Sequence, residues 1–113
     1  MTTLADRHCK PCEGGVLPLT AAQAEELMSG LNPDWELNDG ATQISREFIF
    51  AGFNRTIGFV NAAAWVASTE GHHPEFTVGY GFCRIRYWTH AISGLSDNDF
   101  ICAAKIDRIA ADV

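Results

Sequence analysis

Residues 83–90 alternate without a break. Cys83, Ile85, Tyr87 and Thr89 face one way, and Arg84, Arg86, Trp88 and His90 face the other. A strand of this kind belongs to a sheet that is covered on one side only. Gln43–Phe50 carries a similar pattern through Ile44, Phe48 and Phe50, broken by Arg46. Trp35–Leu37 and Phe76–Tyr80 supply two shorter strands. Asn38-Asp39-Gly40 offers residues that tolerate positive φ between the first pair. Short connections of this type predict antiparallel neighbours.

Three helices separate and flank these strand pairs. Thr20 and Gln23 have capping-box spacing, and Ala24, Leu27, Met28 and Leu31 follow on one face until Asn32-Pro33. A second helix spans about Asn54–Ser68, with Ile57, Val60, Ala64 and Ala67 as its buried side and Gly71 as its stop. Ser96 and Asp99 begin a third. Leu95 and Phe100 are spaced as a hydrophobic staple, and Cys102, Ile106, Ile109 and Val113 continue one face. The order α-β-β-α-β-β-α predicts a two-layer α+β fold, a four-stranded antiparallel sheet with three helices on one face. Residues 1–18, rich in Gly, Pro and charge, read as a flexible N-terminal arm, and 19–113 as one domain.

At 113 residues with 47% apolar side chains, the chain can bury a core without metal or disulfide staples. Its net charge of −6 argues against direct nucleic-acid binding. No apolar run is long enough to span a bilayer, and Met1–Pro18 lacks the apolar centre of a signal peptide. A cytoplasmic location is the default expectation. An open sheet with free edges predicts self-association.

Chemistry centres on His72, His73 and His90. Imidazole changes charge near neutral pH, as proton transfer requires. Pro74 holds the His72-His73 pair on an extended corner, where adjacent side chains project oppositely and so take different jobs. His90 is placed at a strand end, on the side away from Cys83, Ile85 and Tyr87. Surface or hydrogen-bonded core histidines are the competing explanation. The adjacent pair lacks zinc-ligand spacing, so no metal is expected. Asp99 stands at the third helical position, where it can cap the helix, and it shares a face with Cys102 and Ile106, so it can also orient a histidine. Cys9-Lys10-Pro11-Cys12 is a C-x-x-C without a second pair or the usual strand-to-helix setting.

Glu70-Gly71-His72-His73-Pro74-Glu75-Phe76, followed by Tyr80, Thr89-His90, Gly94-Leu95-Ser96 and Asp99, resembles the pterin-4a-carbinolamine dehydratase family. The resemblance extends back through Ile57-Gly58-Phe59, Phe53, Phe50, Phe48 and Trp35, and covers about Leu17 to the C-terminus. It implies dehydration of 4a-hydroxytetrahydropterin to quinonoid dihydropterin and water during pterin recycling. The activity is that of a carbon–oxygen lyase with pterin, of the tetrahydrobiopterin type, as substrate and no cofactor. By motif position, His72, His73, His90 and Asp99 are catalytic. Trp35, Gly71, Pro74, Trp88, Thr89 and Ala91 contact the pterin. The resemblance further implies a homodimer or homotetramer. Two alternative readings accompany it: a pterin-binding relative in molybdopterin metabolism, and a binding module, since animal members also serve as dimerization cofactor of a homeodomain transcription factor. Ser68 and Gly71 stand where the family carries acidic residues or Asn, which predicts less negative charge near the histidines and a lower proton affinity.

Overall fold

The computed structural model describes residues 3–11 and 16–111. Its regular elements are α1 (Ala21–Met28), β1 (Glu36–Leu37), β2 (Ile44–Ile49), α2 (Phe53–Glu70), β3 (Glu75–Val78), β4 (Phe82–Tyr87) and α3 (Asp97–Ala110). Short 3-10 turns form at Leu4–Asp6 and His90–Ile92. The sheet order is β1-β2-β4-β3 and every neighbouring pair is antiparallel. The architecture is therefore the α+β sheet-and-helix layer that the alternation requires.

The register explains which side is covered. Phe48 pairs with Cys83 and Ile44 with Tyr87, so these buried residues share one face of the sheet. Ala24 of α1, Phe59, Ala63 and Val66 of α2, and Phe100, Cys102 and Ile106 of α3 pack on that face. Glu47 and Arg84 pair across the other face and remain exposed.

Three local readings change. The first helix stops at Met28, ahead of Asn32-Pro33, where Ser29 Oγ donates to the Glu26 carbonyl at 2.7 Å and closes the last turn. In α2 the buried residues are Thr56, Phe59, Ala63, Val66 and Ala67. Ile57 and Val60 are half-buried and Ala64 is exposed. This helix is apolar on most sides, so spacing alone does not fix its rotation. Phe59 fixes it by packing 4.5 Å from Phe48 and 5.0 Å from Phe50. Finally, β4 ends at Tyr87 and His90 lies in a 3-10 turn instead of a strand. Beyond Tyr87 the strand has outrun both neighbours, since β2 starts opposite Tyr87 and β3 starts opposite Arg86. Past that point Thr89 pairs with Gly94 in an isolated antiparallel bridge.

The segment ahead of α1 runs along α3. Lys105 Nζ donates to the Ala5 carbonyl at 2.9 Å, and Arg7 and Arg108 pair with Asp97 and Asp6. Val113, placed on the α3 face by its spacing, and Cys12 lie outside the described residues. No helix among the described residues is long and apolar enough to cross a membrane.

Candidate active site

The chain turns sharply as it leaves α2. Gly71 adopts φ +66°, the left-handed conformation that ends a helix at little cost only for glycine. His72 N–H still donates to the Ala67 carbonyl at 3.1 Å, so the histidine is held against the helix end. His73 and Pro74 then lead into β3. On the other side, Trp88–Ala91 extends past the end of β4. The two segments border a cavity of about 650 Å³, a size usual for small-molecule sites. Its remaining wall comes from Cys9, Lys10 and Pro11, with Glu70 and Asn98 beside them.

His72 is the anchored member of the histidine group. Its Nε2 meets Asp99 Oδ1 at 2.5 Å, and its ring stacks on Tyr87 with 5.5 Å between centroids and 8° between planes. Asp99 is fully buried. Its Oδ2 accepts from Thr89 Oγ1 at 2.9 Å and from Ser96 N–H at 2.9 Å, the second bond being the acidic half of the helix cap. One carboxyl group thus joins the helix start, the Thr89 segment and the histidine corner. With Nε2 committed to Asp99, Nδ1 of His72 has no protein partner among the described residues.

The environment of His72 contains opposing influences. Burial disfavours the imidazolium, while the hydrogen bond and charge of Asp99 favour it. The balance raises its pKa above the ordinary 6.5. Asp99, from α3, thus supplies negative charge at His72 where Ser68 and Gly71 supply none. Such a histidine can deliver a proton from Nδ1 near neutral pH and take it back, its ring orientation fixed throughout.

His90 is exposed and its ring lies 4.4 Å from that of Trp88, at 31°. His73 is exposed on the cavity border. Gly71, Pro74, Trp88, Thr89 and Ala91 line the same space, so eight of the ten sequence-selected site residues border one cavity. Asp99 stands behind His72. Trp35 is elsewhere: it is buried in the core, edge-on to Phe48, and its Nε1–H donates to Asp107 at 2.7 Å. No group of three or more His, Cys, Asp or Glu among the described residues is arranged to hold a metal ion.

Glu70 and the Cys9–Pro11 stretch, both noted in the sequence but given no place at the site, also border this cavity. Glu70 Oε1 accepts from Cys9 N–H at 2.7 Å, and Oε2 faces His8 Nδ1 at 3.0 Å. Burial raises the pKa of this carboxyl, but those hydrogen bonds and Lys105 carry it below its ordinary value. Glu70 therefore ties the N-terminal segment to the end of α2. The only sequence signal for this was an acidic residue placed just before a predicted helix stop.

Known proteins share this sequence and this fold. The family model for pterin 4 alpha carbinolamine dehydratase matches residues 17–109. The chain belongs to that family. A protein of Nitrosomonas eutropha, named as a candidate pterin-4-alpha-carbinolamine dehydratase, is 57% identical over 106 residues, covering 94% of this chain and 92% of its own. A Legionella pneumophila protein (strain Corby) of the same name is 47% identical, with 96% of each chain covered. Among solved structures, the transcriptional coactivator/pterin dehydratase of Brucella melitensis superposes with a TM-score of 0.77 at 32% identity. That match covers 82% of this chain and 98% of the Brucella chain. A pterin dehydratase-like protein described as a RuBisCO assembly factor in the alpha-carboxysome shares the fold at 20% identity and a TM-score of 0.59.

Proposed function

We propose that this member of the pterin dehydratase family dehydrates 4a-hydroxytetrahydropterin to quinonoid dihydropterin and water, in the recycling of a tetrahydrobiopterin-type pterin. The observation that carries the reading is the Asp99–His72 pair at the border of a cavity that His73 and His90 share. The reaction breaks the C4a–OH bond and removes the proton of N5, forming a C4a=N5 bond. Hydroxide is a poor leaving group, so a proton must reach the oxygen as the bond breaks. His72, held by Asp99 and raised in pKa, is the donor from Nδ1. His90, which lines the same cavity, takes the N5 proton. His73 positions the pterin, and Trp88 offers a flat apolar surface beside it.

Purified protein tests this directly. Mixed with freshly generated 4a-hydroxytetrahydropterin, it should accelerate loss of the carbinolamine absorbance. His72→Ala and His90→Ala should each lower kcat by about a hundred- to ten-thousand-fold, and the pair by less than the product. His73→Ala should mainly raise KM. A folded protein that leaves the spontaneous rate unchanged rejects the reaction. Loss of turnover in His73→Ala with His72→Ala fully active rejects the assignment of roles.

A further inference from the structure

Two sulfur atoms lie side by side next to the cavity, and neither takes part in the chemistry above. Cys9 belongs to the N-terminal segment and Cys102 to α3, yet their Sγ atoms are 3.5 Å apart. Cys102 is fully buried, its Sγ 4.0 Å from the His72 carbonyl oxygen. Cys9 is half-buried and lines the cavity, so a small reagent can reach it. The backbone around Cys9 is held on both sides. Its own N–H donates to Glu70 at 2.7 Å. Lys10 N–H donates to Asn98 Oδ1 at 3.1 Å, and Asn98 Nδ2 donates back to the Lys10 carbonyl at 2.6 Å. These bonds present Cys9 to one sulfur in α3. A disulfide has an S–S length of about 2.05 Å, so closure needs an approach of about 1.5 Å. Rotation of the Cys9 side chain with a slight shift of its segment can supply that. The hydrogen bond between the two sulfurs lowers the Cys102 thiol, with help from Tyr87 and His72, and pushes the Cys9 thiol up. The first proton therefore leaves the pair jointly, and the resulting thiolate is shared by the two sulfurs, of which Cys9 is the one that borders the cavity.

We propose that Cys9 and Cys102 form a reversible disulfide that, while oxidised, clamps the N-terminal segment as a wall of the cavity. A low-molecular-weight disulfide is the oxidant. The Cys9 sulfur attacks it, breaking its S–S bond and releasing one thiol, and a mixed disulfide forms at Cys9. The Cys102 sulfur then attacks the Cys9 sulfur and expels the second thiol. The two protein thiols lose two electrons and two protons, and the oxidant leaves as two thiols. The inference stands on the sulfur geometry and is independent of the pterin reaction.

Peptide mapping of the native protein after exposure to glutathione disulfide tests it, in wild type and in Cys12→Ser. A Cys9–Cys102 linkage is expected in both, reversed by dithiothreitol. Cys83, fully buried with its thiol pushed up to about 11, should remain reduced. Closing so long a loop should raise Tm by about 10–20 °C, and Cys9→Ser should show neither linkage nor shift. Amide exchange in residues 8–10 should slow at least about tenfold on oxidation. A Cys9–Cys12 linkage that vanishes in Cys12→Ser, or glutathione retained on Cys9 without a protein crosslink, overturns the pairing. A formed disulfide with unchanged exchange in residues 8–10 overturns its role as a clamp.

Discussion

Asp99 is where helix capping and proton chemistry meet. Its oxygens serve Ser96, Thr89 and His72 together, so a change at this residue separates structure from chemistry only if the acceptor is kept. Asp99→Asn keeps an acceptor for the cap and removes the charge beside His72. The variant should fold, with kcat lower by about a hundredfold or more. It should also alter the pH dependence of stability, with a sign fixed by His72. A histidine whose pKa rises on folding adds stability that is complete below about pH 6.5 and is lost as pH climbs through the raised folded value. The Tm difference between wild type and Asp99→Asn should therefore be widest near pH 5.5 and narrow as the pH increases. Lost capping strength is independent of pH over this range and only offsets the curve. Thermal melts at four or five pH values would show it, and a constant difference would mean that the His72 proton affinity does not depend on Asp99.

Elements set the aim of these side chains, and here the sequence is legible only in places. The Thr20–Gln23 capping box and the Gly71 stop both form, because caps are local: a few residues determine them. The rotation of α2 and the true end of β4 are not local. The first depends on Phe48 and Phe50 meeting Phe59, and the second on where β2 and β3 begin. For the same reason the sequence placed His90 on a strand end, while tertiary pairing turns it into a 3-10 turn against Trp88. Gly71 gives an element-scale prediction. A Cβ there would meet nothing within 4 Å, so Gly71→Ala is penalised by backbone conformation alone. It should cost about 1 kcal/mol, or about 5 °C in Tm. Gly71→Asn should cost less, because Asn tolerates positive φ. Equal losses for the two variants would point to a role of Gly71 beyond its φ. His72 follows directly, so Gly71→Ala should also lower kcat more than Gly71→Asn.

Across the whole molecule, pairings far apart in sequence decide what belongs to the site. Arg46 broke the alternation of β2 because its partner lies in α3: Asp107 Oδ1 accepts from Arg46 at 2.7 Å and from Trp35 Nε1–H at 2.7 Å. The Arg46 guanidinium also lies 4.2 Å from the centre of the Phe48 ring. Nothing near Trp35 announces Asp107, so the tie from the residue before β1 to α3 is not legible in the sequence. The covered side of the fold is thus complete within one chain, but one end of the sheet is not. Ile49 at the end of β2 is 72% exposed, Tyr80 between β3 and β4 is 75% exposed, and Phe53 at the start of α2 is 50% exposed. The Phe53 and Tyr80 rings are 6.3 Å apart. Ile49 pairs with Phe82 at the opening of β4, whereas the cavity lies past Tyr87 at its close. This apolar group is accordingly at the opposite end of the sheet from the histidines, beside the β3 edge, whose backbone has a free side for another strand. A second copy of the chain is the expected cover. Sedimentation at about micromolar concentration should show a species larger than the monomer, and the double substitution Ile49→Lys and Tyr80→Glu should shift it toward the monomer. Because the cavity is remote, dehydration per chain should survive in that variant. A wild-type protein that sediments as a monomer defeats the prediction. A variant that dissociates and also loses activity would show that the partner chain contributes to the cavity after all.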